Sequence, residues 1–428
     1  MRILVVTDNR FWRQALGSHQ RIYQLLKFMH GQGHALEVMF VGAPTAEDDE
    51  SMRQLDFVHI ETTQPVMVDA VSAAEERRSS RLKRIARECL HRLRRMPCQV
   101  AYGLRTGRFN TSSNFALSMQ EPKLRDFIRP AAIAKLNRRL AERLPDVLIV
   151  EYLRLTYLVD AIPATIRARL NVLLDTHDVL FERRNRFHQA GLPHDVDITP
   201  AEEAMALNEY DTIIAIQTRD AEIFRALAPE RTVIVVGHGM RNTTTARPEL
   251  AAPRFLFLGS DMKPNLDAAR RLAFDIWPEI NQRLEGKAQL TIVGKVSAAL
   301  VEHDLASNIR LEGHVASLNE IYLAHNIFLN PVDFGGGLKI KNVEALTHGM
   351  ALITTPIGAE GLEAGTGTAF LVANSNREFV DAAYRVATDR ALQVSLSEAA
   401  FDFANKYLGP ESTYGELLRH LYRPTPAT

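Results

Sequence analysis

The residues best suited to chemistry fall in one stretch, Gly335-Gly336-Gly337-Leu338-Lys339-Ile340-Lys341-Asn342-Val343-Glu344-Ala345-Leu346-Thr347-His348-Gly349. Consecutive glycines let a backbone approach a ligand closely and tolerate positive φ. The stretch follows an apolar run read as a strand and enters a helix. The first turn of such a helix offers unbonded amide N–H groups and a partial positive charge to an anion. Lys339 and Lys341 add charge, and Leu338 sits between the glycines and the first lysine. Glu344 lies about two turns further on, where a carboxylate can accept hydrogen bonds from two neighbouring hydroxyls, as an acid does for a ribose in dinucleotide folds. A glycine-rich loop is also how a plain strand-to-helix turn is built, so the loop alone does not define a site.

A second set of candidates lies in the first half. His177 follows Val172-Leu173-Leu174, a strand by its apolar run, and so stands at a strand's carboxyl end, where doubly wound sheets bind ligands. A lone histidine there can also be structural. Asp178 can orient the ring or cap the segment that follows. Gly17-Ser18 opens a helix and reads as an anion-facing N-terminus or as an ordinary N-cap. Asp195-Val196-Asp197 has an Asp-x-Asp form that could hold a metal, but it sits in a polar loop far from the glycine-rich stretch, and no metal is expected. Glu202-Glu203 reads as a solvated helix face. The opening unit lacks Gly-x-Gly-x-x-Gly, and no Walker A, G-x-S-x-G or H-E-x-x-H motif is present, so no bound cofactor is expected.

The elements that must position these residues alternate. Ile3 to Val6, Leu36 to Val41, Val147 to Val150, Val172 to Leu174, Ile213 to Ile216 and Val233 to Val236 are short apolar runs, the mark of parallel strands buried on both faces. Ile22, Leu25, Leu26 and Met29 recur at helical spacing between the first two, and Gly31 and Gly33 stop that helix. Residues 237–253 are rich in Gly, Thr and Pro and read as a linker. A second series then begins, with strands at Phe255 to Leu258, Leu290 to Val293, Ile309 to Leu311, Ile327 to Leu329, Leu352 to Thr354 and Ala369 to Val372, and helices at 265–276, 317–324, 340–348 and 376–387. The pattern predicts an α/β protein of two Rossmann-like doubly wound domains facing a central cleft.

At 428 residues the chain exceeds one ordinary core. Acidic and basic residues balance at 51 each, so net charge gives no reason to expect a nucleic-acid partner. Two cysteines, Cys89 and Cys98, build neither a disulfide framework nor a zinc site. The opening apolar run is stopped by Asp8 and Arg10, too early for a signal peptide, and no window approaches the roughly 20 apolar residues of a membrane span. A cytoplasmic setting is expected. Between Arg77 and Arg95 stand nine Arg or Lys and one acid, Glu88, beside an apolar stripe of Leu82, Ile85, Cys89, Leu93 and Met96. That segment reads as a solvated helix, as a basic amphipathic helix resting on an anionic membrane, or as an RNA contact.

The run GGGLKIKNVEALTHGMALITTPIGAEGL resembles the donor-site signature of the retaining GT-B glycosyltransferases of family four, the group one glycosyl transferases. The resemblance covers 254–388. It implies that Glu344 holds the nucleotide ribose and that Gly336, Gly337, Leu338 and Lys339 face the diphosphate and sugar. Phe257 to Asn265 resembles the first turn of the family's C-terminal domain, which implies diphosphate contacts from Ser260 and Lys263. Val293-Gly294 resembles the strand end that closes the base pocket, and Leu311 to Val315 the loop whose backbone reads the base, which brings in Val315. Gly17, Ser18 and His177 match more loosely, with His177 implied near the donor sugar and reacting centre. Two positions depart from the family. Gly336 stands where a glutamate is frequent, and Ser260 where an arginine is usual, with Lys263 or Lys339 as candidate substitutes.

The expectation is therefore a metal-independent, retaining hexosyltransferase. It would use a nucleotide diphosphate sugar as co-substrate and glycosylate an alcohol on a glycan or lipid-linked acceptor of the cell envelope or a polysaccharide. Residues 1–240 would bind the acceptor and 254–405 the donor, and a helix within 406–428 would pack back on the first domain. A sugar-nucleotide epimerase, a non-catalytic nucleotide-sugar binder and an RNA-binding protein are the alternatives.

Overall fold

The computed structural model describes residues 1–14, 16–65, 121–241, 250, 252–315 and 317–422. The basic segment from Arg77 to Arg95, both cysteines and most of the 237–253 linker lie outside the described residues.

Two parallel sheets organise the chain. The first holds β1 (Arg2–Thr7), β2 (Ala35–Phe40), β3 (His59–Thr62), β4 (Val147–Glu151), β5 (Asn171–Asp175), β6 (Thr212–Ala215) and β7 (Thr232–Val235), in the order β3-β2-β1-β4-β5-β6-β7. The second holds β8 (Arg254–Leu258), β9 (Gln289–Val293), β10 (Ile309–Glu312), β11 (Ile327–Asn330), β12 (Ala351–Thr354) and β13 (Phe370–Val372), in the order β10-β9-β8-β11-β12-β13. Every apolar run read as a strand is one. β3 was not foreseen, because His-Ile-Glu-Thr is a short, partly exposed edge strand with no apolar run to announce it.

The order of each sheet reverses direction at its first strand, between β1 and β4 and again between β8 and β11. At such a switch point the loops leaving the two strands part and open a crevice beyond their carboxyl ends. The central strands are covered on both faces, as their unbroken hydrophobicity requires: β4 and β11 are buried along their whole length. On one face of the first sheet lie Leu4, Val6, Leu148 and Val150, and on the other Ile3, Val5, Val147 and Ile149.

Helix α1 (Gly17–Gly31) covers the second of these faces with Ile22, Leu25, Leu26 and Met29. The last described helix shares that face: Tyr414, Leu417 and Leu421 of Pro410–Leu421 join the same cluster. Tyr414 accepts a hydrogen bond from the Gly239 amide (3.1 Å) and donates to the Gly239 carbonyl (3.2 Å), and Thr212 Oγ1 meets His420 Nε2 at 2.9 Å. The first and last described elements thus both pack on the first sheet, with the second sheet between them in sequence.

Candidate active site

A cleft of about 810 Å³ opens where the two switch points face one another. Its walls include Gly17, Ser18, Tyr152 and His177 from the first sheet's loops. Ser260, Asn265, Val315, Gly336, Gly337, Leu338, Lys339, Lys341 and Glu344 come from the second. Of the residues expected at the site, all but Lys263 line this cleft. The Lys263 ammonium pairs with Asp267 on its own helix.

The second-sheet wall is built around a short helix, Ile340–Thr347, referred to as α3 below, which leaves the β11 loop. Its N-cap is Lys339, with no side chain on its free amides. Glu344 is buried, and one carboxylate oxygen accepts a 2.8 Å hydrogen bond from the Tyr322 hydroxyl. Tyr322 is stacked on His348, 4.4 Å between ring centres. Burial pushes the Glu344 carboxyl up to about 7, against the Tyr322 hydrogen bond.

Lys341 is the residue that sequence reasoning undervalued. Its ammonium donates to the Leu258 carbonyl (2.9 Å) and to Asn265 Oδ1 (2.6 Å) and lies 4.6 Å from the centre of the Phe257 ring. Ser260 Oγ accepts from the same Asn265. Lys341 thus brings a cation to the Ser260–Asn265 side of the cleft. Burial, then the nearby Lys339 charge, lowers the Lys341 ammonium to about 7. Lys339 donates to the Gly337 carbonyl (2.7 Å) and faces Glu360 at 3.7 Å, and burial lowers it to about 8. Lys341 stood in the sequence as one of two charges at the helix start, and its place three residues before Glu344, on the same helix face, is what sets it in the cleft.

On the opposite wall His177 adopts φ +64°, unusual for a residue with a side chain. Its Nε2 meets Glu151 Oε2 at 2.6 Å, and its ring is stacked on Tyr152 at 4.0 Å with 6° between planes. Tyr152 also has positive φ, and the Arg154 guanidinium lies 4.0 Å from its ring centre. Asp178 does not orient the ring, as one reading supposed; it faces Arg183 at 3.4 Å. The orienting acid is Glu151, the last residue of β4, which pairs in register with Asp175, the last of β5. Nothing in the sequence joins Glu151 to His177, because parallel neighbours are set by topology.

Asp175 is held by Arg21 of α1, bidentate at 2.7 and 2.9 Å, and Arg21 also donates to the Gly237 carbonyl at 2.6 Å. Glu151, Asp175 and His177 bring their ligand atoms within 4.8 Å of one another, a spacing that suits a cation. The Arg21 guanidinium already occupies both Asp175 oxygens and would repel one. Of the Asp-x-Asp pair, Asp195 meets His194 (2.8 Å) and Asp197 meets Arg184 (2.8 Å) and Lys123 (3.1 Å).

Helix α1 starts at Gly17 with Leu16 as N-cap and no capping side chain, so Ser18 is not an N-cap. A Cβ at Gly17 would stand 2.9 Å from Ile340 of α3, which shows how closely the two helix N-termini converge. Glu203, read as solvated, is in fact buried. It accepts from the Leu180 (3.0 Å) and Phe181 (2.8 Å) amides at the start of the helix Leu180–Gln189, referred to as α2 below. Glu202 closes a capping box with Thr199.

Two facing, doubly wound parallel sheets with a crevice between their switch points define the GT-B fold of glycosyltransferases. Residues 252–389, which hold the second sheet, match the family model described as Glycosyl transferases group 1. Among curated proteins, an uncharacterized 44.6 kDa protein in the cps region of Klebsiella pneumoniae is 24% identical over 173 residues. That match takes in 38% of this chain and 45% of the relative, under half its length.

Solved structures share the fold over nearly the whole chain. Anabaena HepE in complex with UDP and glucose is 11% identical, with TM-score 0.61, and covers 98% of this chain and 99% of that one. Sucrose-phosphate synthase from Thermosynechococcus elongatus is 12% identical, with TM-score 0.65, and covers 99% of each. A mutant of S. aureus TarM in complex with Fondaparinux, alpha-GlcNAc-glycerol and UDP is 8% identical, with TM-score 0.67, and covers 99% and 100%.

Proposed function

We propose that this protein transfers a glycosyl group from a nucleoside diphosphate sugar to an alcohol on a glycan or lipid-linked acceptor, with retention and without a metal. One observation carries the reading. The cleft sets a buried carboxylate, two partly buried lysines and the open N-terminus of α3 opposite His177 and the N-terminus of α1. Glu344 would accept from the ribose hydroxyls through the carboxylate oxygen that Tyr322 leaves available. Lys341 and the α3 amides would take up the charge that develops on the departing diphosphate. Lys339 already neutralises part of Glu360 and would share its charge with the donor. The diphosphate oxygen left behind could then accept the acceptor's proton on the face where attack occurs. The group 1 domain and the UDP-bound structures of like fold support a nucleotide-sugar donor. The cps-region relative suits a polysaccharide acceptor. Residues 1–240 would serve the acceptor, and the basic segment from Arg77 to Arg95 would rest on an anionic membrane. No helix among the described residues is long and apolar enough to cross one.

The test is a thermal-shift and calorimetric screen of UDP, GDP, ADP and dTDP sugars, because a true donor stabilises the fold by mass action. The anomeric configuration of the product is then read by NMR. With the donor in hand, His177→Ala should lower turnover about a hundredfold and leave donor affinity nearly intact, the pattern of an interaction made mainly in the transition state. Absence of any nucleotide-sugar binding would overturn the reading. Turnover of the donor without an acceptor would replace it with epimerase chemistry.

A further inference from the structure

His177 and Glu151 form a buried pair whose charge balance has a consequence for the chemistry of the cleft. The Nε2–Oε2 separation is 2.6 Å, and the side chains are 6% and 1% exposed. Glu151 Oε1 is buried with no hydrogen-bond partner among the described residues. The cations nearest the ring already have acids of their own. From α1, Arg21 answers Asp175 of β5; from the segment after β4, Arg154 answers Asp8; from α2, Arg183 answers Asp178. Across the cleft Arg186 and Lys339 both face Glu360 and donate to the Gly335, Gly336 and Gly337 carbonyls, and neither reaches the His177–Glu151 pair by a hydrogen bond. The Tyr152 phenol stays neutral, because burial pushes it up to about 12. Glu151 and Asp175 are neighbours in register that share one cation, Arg21, whose hydrogen bonds go to Asp175 and which reaches Glu151 by charge alone, so one negative charge is left over. A carboxylate in that position is costly unless a proton offsets it. Burial first, and then the Asp175 charge, raises the Glu151 carboxyl, which points the same way.

We propose that Glu151 is a positioning residue that holds one proton jointly with His177, so that the His177 ring carries a hydrogen on Nδ1 and serves the cleft as a hydrogen-bond donor and not as a base. The conclusion does not depend on where the shared proton sits. If it lies on Nε2, the ring is an imidazolium and Nδ1 bears a hydrogen. If it lies on Glu151, the carboxyl donates to Nε2 and the neutral ring again bears its hydrogen on Nδ1. Only an ionised Glu151 beside a neutral ring protonated at Nε2 leaves Nδ1 bare, and that state strands the unmatched charge. Tyr152 stacked on the ring and the positive φ of His177 fix the orientation in which Nδ1 is presented. The inference rests on the glycosyl-transfer reading only for what the N–H would meet, a donor oxygen. The protonation state belongs to the protein alone.

The test uses the full chain labelled with [15N]histidine, with His177 assigned by its loss in His177→Gln, and follows the proton on each ring nitrogen from pH 6 to 9. A hydrogen on Nδ1 throughout pH 6 to 8 is expected in the wild type. In Glu151→Ala the ring should lose its Nδ1 hydrogen within that range; Glu151→Leu, which likewise cannot donate to Nε2, takes its place should the alanine variant not fold. A wild-type ring bare at Nδ1 at pH 7 would overturn the proposal. So would an unchanged titration of His177 in a folded Glu151 variant, or stoichiometric zinc binding that disappears with Glu151. A failed nucleotide-sugar screen with Nδ1–H intact would remove the transferase reading and leave this one standing, and donor binding with Nδ1 bare would do the reverse.

Discussion

At the scale of single residues, Glu344 and Lys341 make the cleft sensitive to pH in opposite senses. Glu344 would accept the ribose hydroxyls as a carboxylate. With its carboxyl pushed up to about 7, donor affinity should rise as pH climbs through that value. Lys341 would bind diphosphate as an ammonium. With its ammonium lowered to about 7, affinity should fall over the same range. Donor affinity measured by calorimetry is therefore expected to peak near neutrality. Glu344→Gln should remove the acid limb and Lys341→Arg the alkaline one, and a flat wild-type profile from pH 5.5 to 8.5 would contradict both assignments. Glu344→Ala should cost at least tenfold in affinity, given about 1.5–3 kcal/mol for a hydrogen bond to a charged group, while Lys263→Ala should cost nothing. The acids of the Asp-x-Asp segment are engaged by His194, Arg184 and Lys123. Activity should survive exhaustive chelation, and a loss restored by manganese or magnesium would return those acids to the site.

At the scale of elements, the loop from β11 into α3 is shaped by what stands across the cleft. Gly337 has φ +62°, and a Cβ there would lie 2.8 Å from the His177 carbonyl oxygen, a backbone atom that cannot swing aside. A Cβ on Gly336 would meet only the Arg183 side chain, at 3.3 Å, which can. Gly337→Ala should therefore lower turnover tenfold or more and lower the melting temperature, since positive φ and the clash both act against it. Gly336→Ala should stay within about twofold of wild type. Equal effects of the two changes would show that the His177 approach does not matter.

At the scale of the whole molecule, the two sheets are tied across the cleft by Arg186 of α2. It forms a bidentate pair with Glu360 at 2.8 and 2.9 Å and donates to the Gly335 carbonyl at 2.7 Å. Exposed ion pairs contribute about 0–1 kcal/mol, but this one is mostly shielded, at 20% and 15% side-chain exposure, and has fork geometry. Arg186→Ala should raise the donor KM and expand the molecule in small-angle scattering, with kcat less affected. A Glu360→Ala variant should add little to it, since both remove the same tie. Unchanged scattering and KM in both variants would show that the cleft stays closed without the pair.

Much of this protein was legible in one dimension. The apolar runs announced twelve of the thirteen described strands, because a parallel strand covered on both faces must be hydrophobic along its length. The glycine loop, Lys339 and Glu344 were legible together because the helical repeat fixes their relations locally. What folding alone decided involves partners far apart in the chain. Glu151 reaches His177 only because β4 and β5 are neighbours in register. Lys341 and not Lys263 lines the cleft because α3 brings it to Asn265, while Lys263 pairs with Asp267 of its own helix. Glu203 looked solvated because its charge argues for the surface, and only the sheet's packing shows that it caps a helix start from within. Local periodicity carries strands and helices, whereas the pairing of charges across a cleft depends on distances that no spacing along the chain encodes.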